Sequence, residues 1–144
     1  MKYDKAKIEE LLVSYLGGLP EVEFAYIFGS FVLRERFEDI DVAVYVGNPS
    51  VLDDRTTHPY GYESTILGEL TRLLHTDKLD FVVLNHAGPT LFTRVINKGK
   101  RILDRNPAKR VEVENAARRE YIDAEPIRRI QNYYLLRKLR DLHA

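Results

Sequence analysis

The sequence predicts an α/β (α+β) domain: a small mixed sheet with helices packed against it and a helical C-terminal extension. Three observations carry this. Val22–Phe28, Ile40–Val46 and Leu79–Leu84 are short, nearly continuous apolar runs, the pattern of strands covered on both faces. The segments between them carry apolar residues at helical spacing. From Ala108 onward the pattern stays helical to the end of the chain.

In chain order, Asp4 suits the N-cap of a first helix whose Ile8, Leu11, Leu12, Tyr15 and Leu16 form an apolar stripe, and Gly17-Gly18 ends it. The first strand, Val22–Phe28, stops at Gly29-Ser30, and Phe31–Arg36 is long enough for a turn or two of helix. A second strand, Ile40–Val46, ends at Gly47-Asn-Pro49. Residues 48–60 lack periodicity and read as a loop, either a lid, a partner contact or idle. His58 in that loop is a candidate ligand or general acid, although a lone loop histidine is more often solvated. Tyr62, Ile66, Leu67, Leu70, Leu73 and Leu74 predict a helix over roughly 60–75, followed by a third strand from Leu79 to Leu84. Pro89 suits the first position of a helix that Gly99 stops, and Lys100–Asp104 reads as an edge strand. Pro126 interrupts the C-terminal pattern, so the expectation is two helices or one kinked near residue 125. The domain division that follows is 1–104 for the core and 105–144 for a helical extension of the same domain.

Composition narrows the function classes. The chain has 144 residues, 44% of them hydrophobic, enough for one buried core. It contains no cysteine, so disulfides and thiolate metal sites are excluded. No apolar run approaches a membrane span and no signal peptide is recognisable, so a soluble, cytoplasmic protein with no membrane partner is expected. Net charge is zero but uneven: residues 1–104 hold 12 basic against 16 acidic side chains, and 105–144 hold 10 against 6. That balance argues against a long nucleic-acid groove, and direct nucleic-acid binding is not expected. The basic tail suits an acidic partner or RNA, or simply a solvated helix face.

The chemistry concentrates in Tyr26-Ile-Phe-Gly-Ser30 and Asp39-Ile-Asp41. Gly29 lets a strand turn sharply and approach something bulky, and a following helix start favours an anion such as phosphate. Asp39 and Asp41 stand two residues apart on a strand, so both carboxylates leave one face. Two such oxygen donors held together call for a cation, and Mg²⁺ (or Mn²⁺) with substrate phosphates fits that demand. A phosphate cradle beside a metal pair implies a nucleotide. With ten Asp in the chain the same spacing also arises by chance, and a strand-edge acid is often only a turn residue. Asp80, at the head of a third apolar run, is the third candidate; by itself it reads equally as a turn acid after Thr76-Asp77-Lys78.

Phe28-Gly29-Ser30, Asp39-Ile40-Asp41 and Leu79-Asp80-Phe-Val-Val-Leu resemble the signature of the minimal nucleotidyltransferases of the DNA polymerase beta superfamily, over about residues 20–104. The likeness is greatest to the MntA-like antitoxins of the MntA/HepT toxin–antitoxin system. It implies a nucleotidyltransferase-like fold and transfer of AMP from ATP to a hydroxyl, a tyrosine of a cognate HEPN-domain toxin, in a type VII-like antitoxin. It further implies catalytic and metal-binding roles for Asp39, Asp41 and Asp80. Gly29, Ser30 and Arg34 would be nucleotide-binding. Family members often carry a small residue, Arg and Gly soon after Gly-Ser, whereas here Phe31-Val-Leu-Arg34-Glu35 intervenes, and Arg36 is a second candidate for the phosphate contact. Two alternatives stand beside this reading: a transferase acting on a small-molecule hydroxyl, which usually needs an extra substrate domain, and a non-catalytic antitoxin that neutralises its partner by binding alone.

Overall fold

The computed structural model describes residues 2–142. Helix α1 (Lys5–Gly17) begins where the Asp4 carboxylate accepts the Lys7 amide at 2.8 Å, and buries Ile8, Leu12 and Leu16. Strand β1 (Val22–Phe28) runs into α2 (Ser30–Leu33), then β2 (Ile40–Val46), α3 (Tyr62–Leu74), β3 (Leu79–Val83), α4 (Pro89–Lys98), β4 (Lys100–Asp104), α5 (Pro107–Asp123) and α6 (Glu125–Leu142). The sheet order is β3-β2-β1-β4. Strand β1 pairs antiparallel with both β2 and β4, whereas β2 and β3 are parallel because α3 carries the chain back to the same end of the sheet.

Alternation along the strands divides the core into two layers. Ala25, Ile27, Ile40, Val42, Val44, Leu79, Phe81 and Val83 face α1 and α3. Phe24, Tyr26, Phe28 and Ala43 face the opposite way, onto Phe92 and Val95 of α4 and Ala117 of α5. On that second face Tyr26 donates to buried Glu114 of α5 at 2.6 Å, and Glu114 also accepts from Arg110 at 3.2 Å. A second Arg110 contact, to Asp104 at 2.8 Å, ties the start of α5 to the end of β4. Helix α5 thus runs alongside β1 in the same direction, starting near the Phe24 end of the sheet and finishing near the Phe28 end.

Local details either refine what the sequence predicts or fall within it. The helix after Gly-Ser is a single turn, Ser30–Leu33, closed by the Lys5 ammonium, which donates to the Phe31 carbonyl at 2.6 Å and to the Arg34 carbonyl. Strand β3 ends at Val83, and Leu84–His86 forms a 3₁₀ turn. The 48–60 segment contains a 3₁₀ turn at Pro49–Asp53 and Asx-type caps from Asn48 and Asp54, so it is locally built rather than featureless. The C-terminal region is two helices divided at Ala124; Pro126 falls in the first turn of α6, where its missing N–H leaves no helical bond unmade. Helix α6 buries no residue. Among the described residues no helix is long and apolar enough to cross a membrane.

Candidate active site

The site is made at one end of the β1–β2–β3 edge. Gly29 adopts φ +75°, ψ −152°, which only glycine enters without strain. A side chain there is also excluded by space, since an added Cβ would stand 3.1 Å from Asp41 Cγ and collide with its Oδ2. The glycine thus lets the Asp41 carboxylate lie directly against the β1–α2 corner. Ser30 fixes the other acid: its hydroxyl donates to the Asp39 carbonyl at 3.2 Å and accepts from the Glu38 and Asp39 amides at 3.3 and 3.4 Å. Here the serine hydroxyl orders the backbone carrying Asp39, a job that the residue type alone did not reveal.

Asp80 joins this pair through the sheet. Asp41 and Asp80 are direct partners in the parallel β2–β3 ladder, neighbours across a spacing of about 4.8 Å between strands. Each stands two residues before a residue of the α4/α5 layer, Asp41 before Ala43 and Asp80 before Val82, so their side chains leave the sheet on that same face. Asp39 and Asp80 are exposed and Asp41 is half-buried. Its carboxyl is pushed above the usual range first by burial, then by the negative charges of Asp80 and Asp39. Both of the other predicted acids therefore act on Asp41 at this corner.

Like charges crowded in this way suit a hard divalent cation. Asp39 and Asp41, with Asp80 beside them, offer oxygen donors only, the set that Mg²⁺ or Mn²⁺ prefers. Among the described residues no three Asp, Glu or His side chains form a ready metal cluster, so such an ion would draw its remaining ligands from substrate oxygens and water.

Arg34 and Arg36 are both exposed next to α2. Arg36 lines an open cleft of about 760 Å³ with Tyr3, Phe37, Glu38, His75 and Lys78, and none of the three acids is among its lining residues. Lys5 holds the far end of α2 and lies over the Phe31 and Phe37 rings; no motif in the sequence marks it, because its partners are 26 and 29 residues away. His58 is not part of the corner. It packs edge-on against Tyr62 at the start of α3, near Val83 and so at the opposite end of the parallel strands.

The chain belongs to the polymerase beta nucleotidyltransferase family, whose model matches residues 7–108. Among solved structures, the chain is similar to an MNT antitoxin in the complex of tri-AMPylated Shewanella oneidensis HEPN toxin with that antitoxin: TM-score 0.71, 19% identity, 92% of this chain and 98% of that one covered. It is similar also to a chain of a toxin–antitoxin with AMP-PNP, with TM-score 0.72, 20% identity and coverage of 89% and 98%. A chain of the MntA–HepT toxin–antitoxin gives TM-score 0.69, 19% identity and coverage of 91% and 98%. At these identities the likeness establishes the fold. No curated protein matches the sequence.

Proposed function

We propose that this protein transfers AMP from ATP to a tyrosine hydroxyl of a cognate HEPN-domain toxin and acts in the cytoplasm as the antitoxin of that pair. The observation that carries the reading is the packing of the Asp41 carboxylate on Gly29, with Asp80 its partner across the strand pair and Asp39 held by Ser30. Family membership and the resemblance to antitoxin chains in toxin complexes support it.

In this mechanism Asp39 and Asp41 would hold a divalent cation, which when bound would neutralise triphosphate charge. The backbone of the Gly29–Ser30 corner, with Arg34 or Arg36, steadies the leaving pyrophosphate. Asp80, exposed beside Asp41, accepts the proton of the attacking hydroxyl. The hydroxyl oxygen bonds to the α-phosphorus, the bond to the pyrophosphate oxygen breaks, and AMP stays on the acceptor. Positioning and charge neutralisation suffice for this chemistry, which is why a four-stranded sheet can support it.

Helix α6 supplies the partner contact. It starts at the end of α5 that lies towards Phe28 and the acids, and spans 18 residues, or about 27 Å. Ile127, Ile130, Tyr133, Tyr134 and Leu136 are exposed along it among Arg128, Arg129, Arg137, Lys138 and Arg140. A partner gripped there lies next to the corner that would modify it. The charge surplus of this region suits an acidic surface on that partner.

The test uses labelled ATP. With Mg²⁺ the wild-type protein should label the co-expressed partner, and Asp39→Asn with Asp41→Asn should abolish labelling while the variant keeps its fold. Undiminished labelling by the double variant would remove the metal assignment.

A further inference from the structure

On the same face of the sheet as the acids, α4 and the end of α5 enclose a second cleft of about 240 Å³ lined by Thr90, Thr93, Arg94, Asn97, Lys98 and Tyr121. The α4 members are spaced i, i+3, i+4, i+7, i+8, one continuous stripe of the helix facing Tyr121. This stripe is polar throughout, where a helix packed beside another normally presents apolar residues.

Three features mark it as a place for a ligand. Thr93 is more than nine-tenths buried, and among the described residues its hydroxyl has no hydrogen-bond partner, a cost a structure seldom carries without return. Two cations, Arg94 and Lys98, line the cleft and no carboxylate does. A third cation, Arg128, lies 3.6 Å from the Tyr121 ring centre and donates to the Tyr121 carbonyl at 2.5 Å, fixing that ring at the cleft wall. Phosphate suits the cations, hydroxyl and amide groups suit a sugar or base edge, and the tyrosine offers a flat face for stacking. The volume is below the roughly 300–1,000 Å³ of sites for drug-sized ligands, which favours one phosphate with its nucleoside over a triphosphate.

Its location gives the ligand a role. Gly99, next to Lys98, lies against β1, where an added Cβ would stand 3.0 Å from the Ile27 carbonyl and 3.4 Å from Phe28 Cβ, and Phe28 is the ladder partner of Asp41. The Lys98 end of the cleft therefore adjoins the strand that pairs with Asp41.

We infer that the α4–α5 cleft is a binding subsite for a nucleoside monophosphate, distinct from the acid corner and placed to hold AMP beside it. The inference rests on the nucleotidyl-transfer reading only for the choice of AMP; binding itself is measured apart from transfer. The AMP unit has two sources, the free nucleotide or one already attached to the acceptor tyrosine.

The experiment is amide NMR of the full chain without divalent metal, titrated with AMP and, separately, with a short peptide whose tyrosine carries AMP. Both ligands should move the amides of residues 90–98 and 121. Arg94→Glu and Lys98→Glu should each weaken binding about ten-fold or more. Thr93→Val should weaken it by a smaller factor while raising the melting temperature, since it removes an unpaired buried hydroxyl. Tighter binding of the peptide than of AMP assigns the subsite to acceptor-borne nucleotide, and equal binding assigns it to the free nucleotide. Unchanged affinity in all three variants, or loss of AMP binding in the Asp39→Asn, Asp41→Asn protein alone, would overturn the subsite. Should AMP bind here while no transfer is detected on any acceptor, the subsite stands and the transferase reading falls.

Discussion

Gly29 is the residue on which the site's geometry turns. Its φ of +75° and its contact with the Asp41 carboxylate make two demands on one position, and no other residue type meets both. Gly29→Ala is expected to lower stability by about 1–3 kcal/mol from backbone strain, and to lose most nucleotidyl transfer because the Asp41 carboxylate must move. Urea unfolding and labelled-ATP transfer check the two parts; a fully active Ala variant would show that Asp41 does not need this seat. Asp80 makes a separate demand. Asp80→Asn should keep nucleotide binding and lose transfer about 10²–10⁴-fold, the usual worth of a general base. Equal loss of binding and transfer, read by calorimetry beside the transfer assay, would instead place Asp80 on the triphosphate.

Among the elements, α5 depends on a buried polar joint. Tyr26 and Glu114 meet beneath it, and the tyrosine hydroxyl is held far above its ordinary pKa by burial first and by the Glu114 carboxylate second. A raised folded-state value means that the native protein retains a proton the unfolded chain releases, so this stability is complete below about pH 10 and declines as pH rises above it. Tyr15 and Tyr62 are raised too, by burial first, with Glu69 and Glu21 as their carboxylate neighbours, so alkaline unfolding should set in above about pH 10. Tyr26→Phe should cost about 1.5–3 kcal/mol at neutral pH, the worth of a hydrogen bond to a charged acceptor, and flatten the alkaline slope. Denaturant titrations at several pH values measure both. Elements of this kind also show what the sequence could disclose. Strands β1 and β2 were legible to the residue because continuous apolar runs bounded by Gly and Pro leave few alternatives. The chain break near residue 125 was legible from Pro126. Lys5, the Ser30 bonds to the Asp39 backbone and the buried Glu114 were not, since each depends on partners brought together only by the fold.

The whole molecule divides its tasks between a packed sheet that holds the acids and a helix that buries none of its own residues. Because α6 buries no residue, truncation after Ala124 should leave the melting temperature nearly unchanged yet abolish stable association with the partner. A large fall in melting temperature would show that α6 supports the core instead. The three acids were visible in sequence as spacing, and their convergence followed from a ladder register that spacing alone cannot supply. The central claim is that this convergence performs AMP transfer and is not an inert remnant in a protein that neutralises its partner by binding. The direct measurement is the intact mass of the co-purified partner after incubation with ATP and Mg²⁺, for the wild type and for the Asp39→Asn, Asp41→Asn variant. The account predicts a gain of whole AMP units on a partner tyrosine with the wild type, and an unmodified but still bound partner with the variant. A partner neutralised by both proteins with no added mass would contradict it.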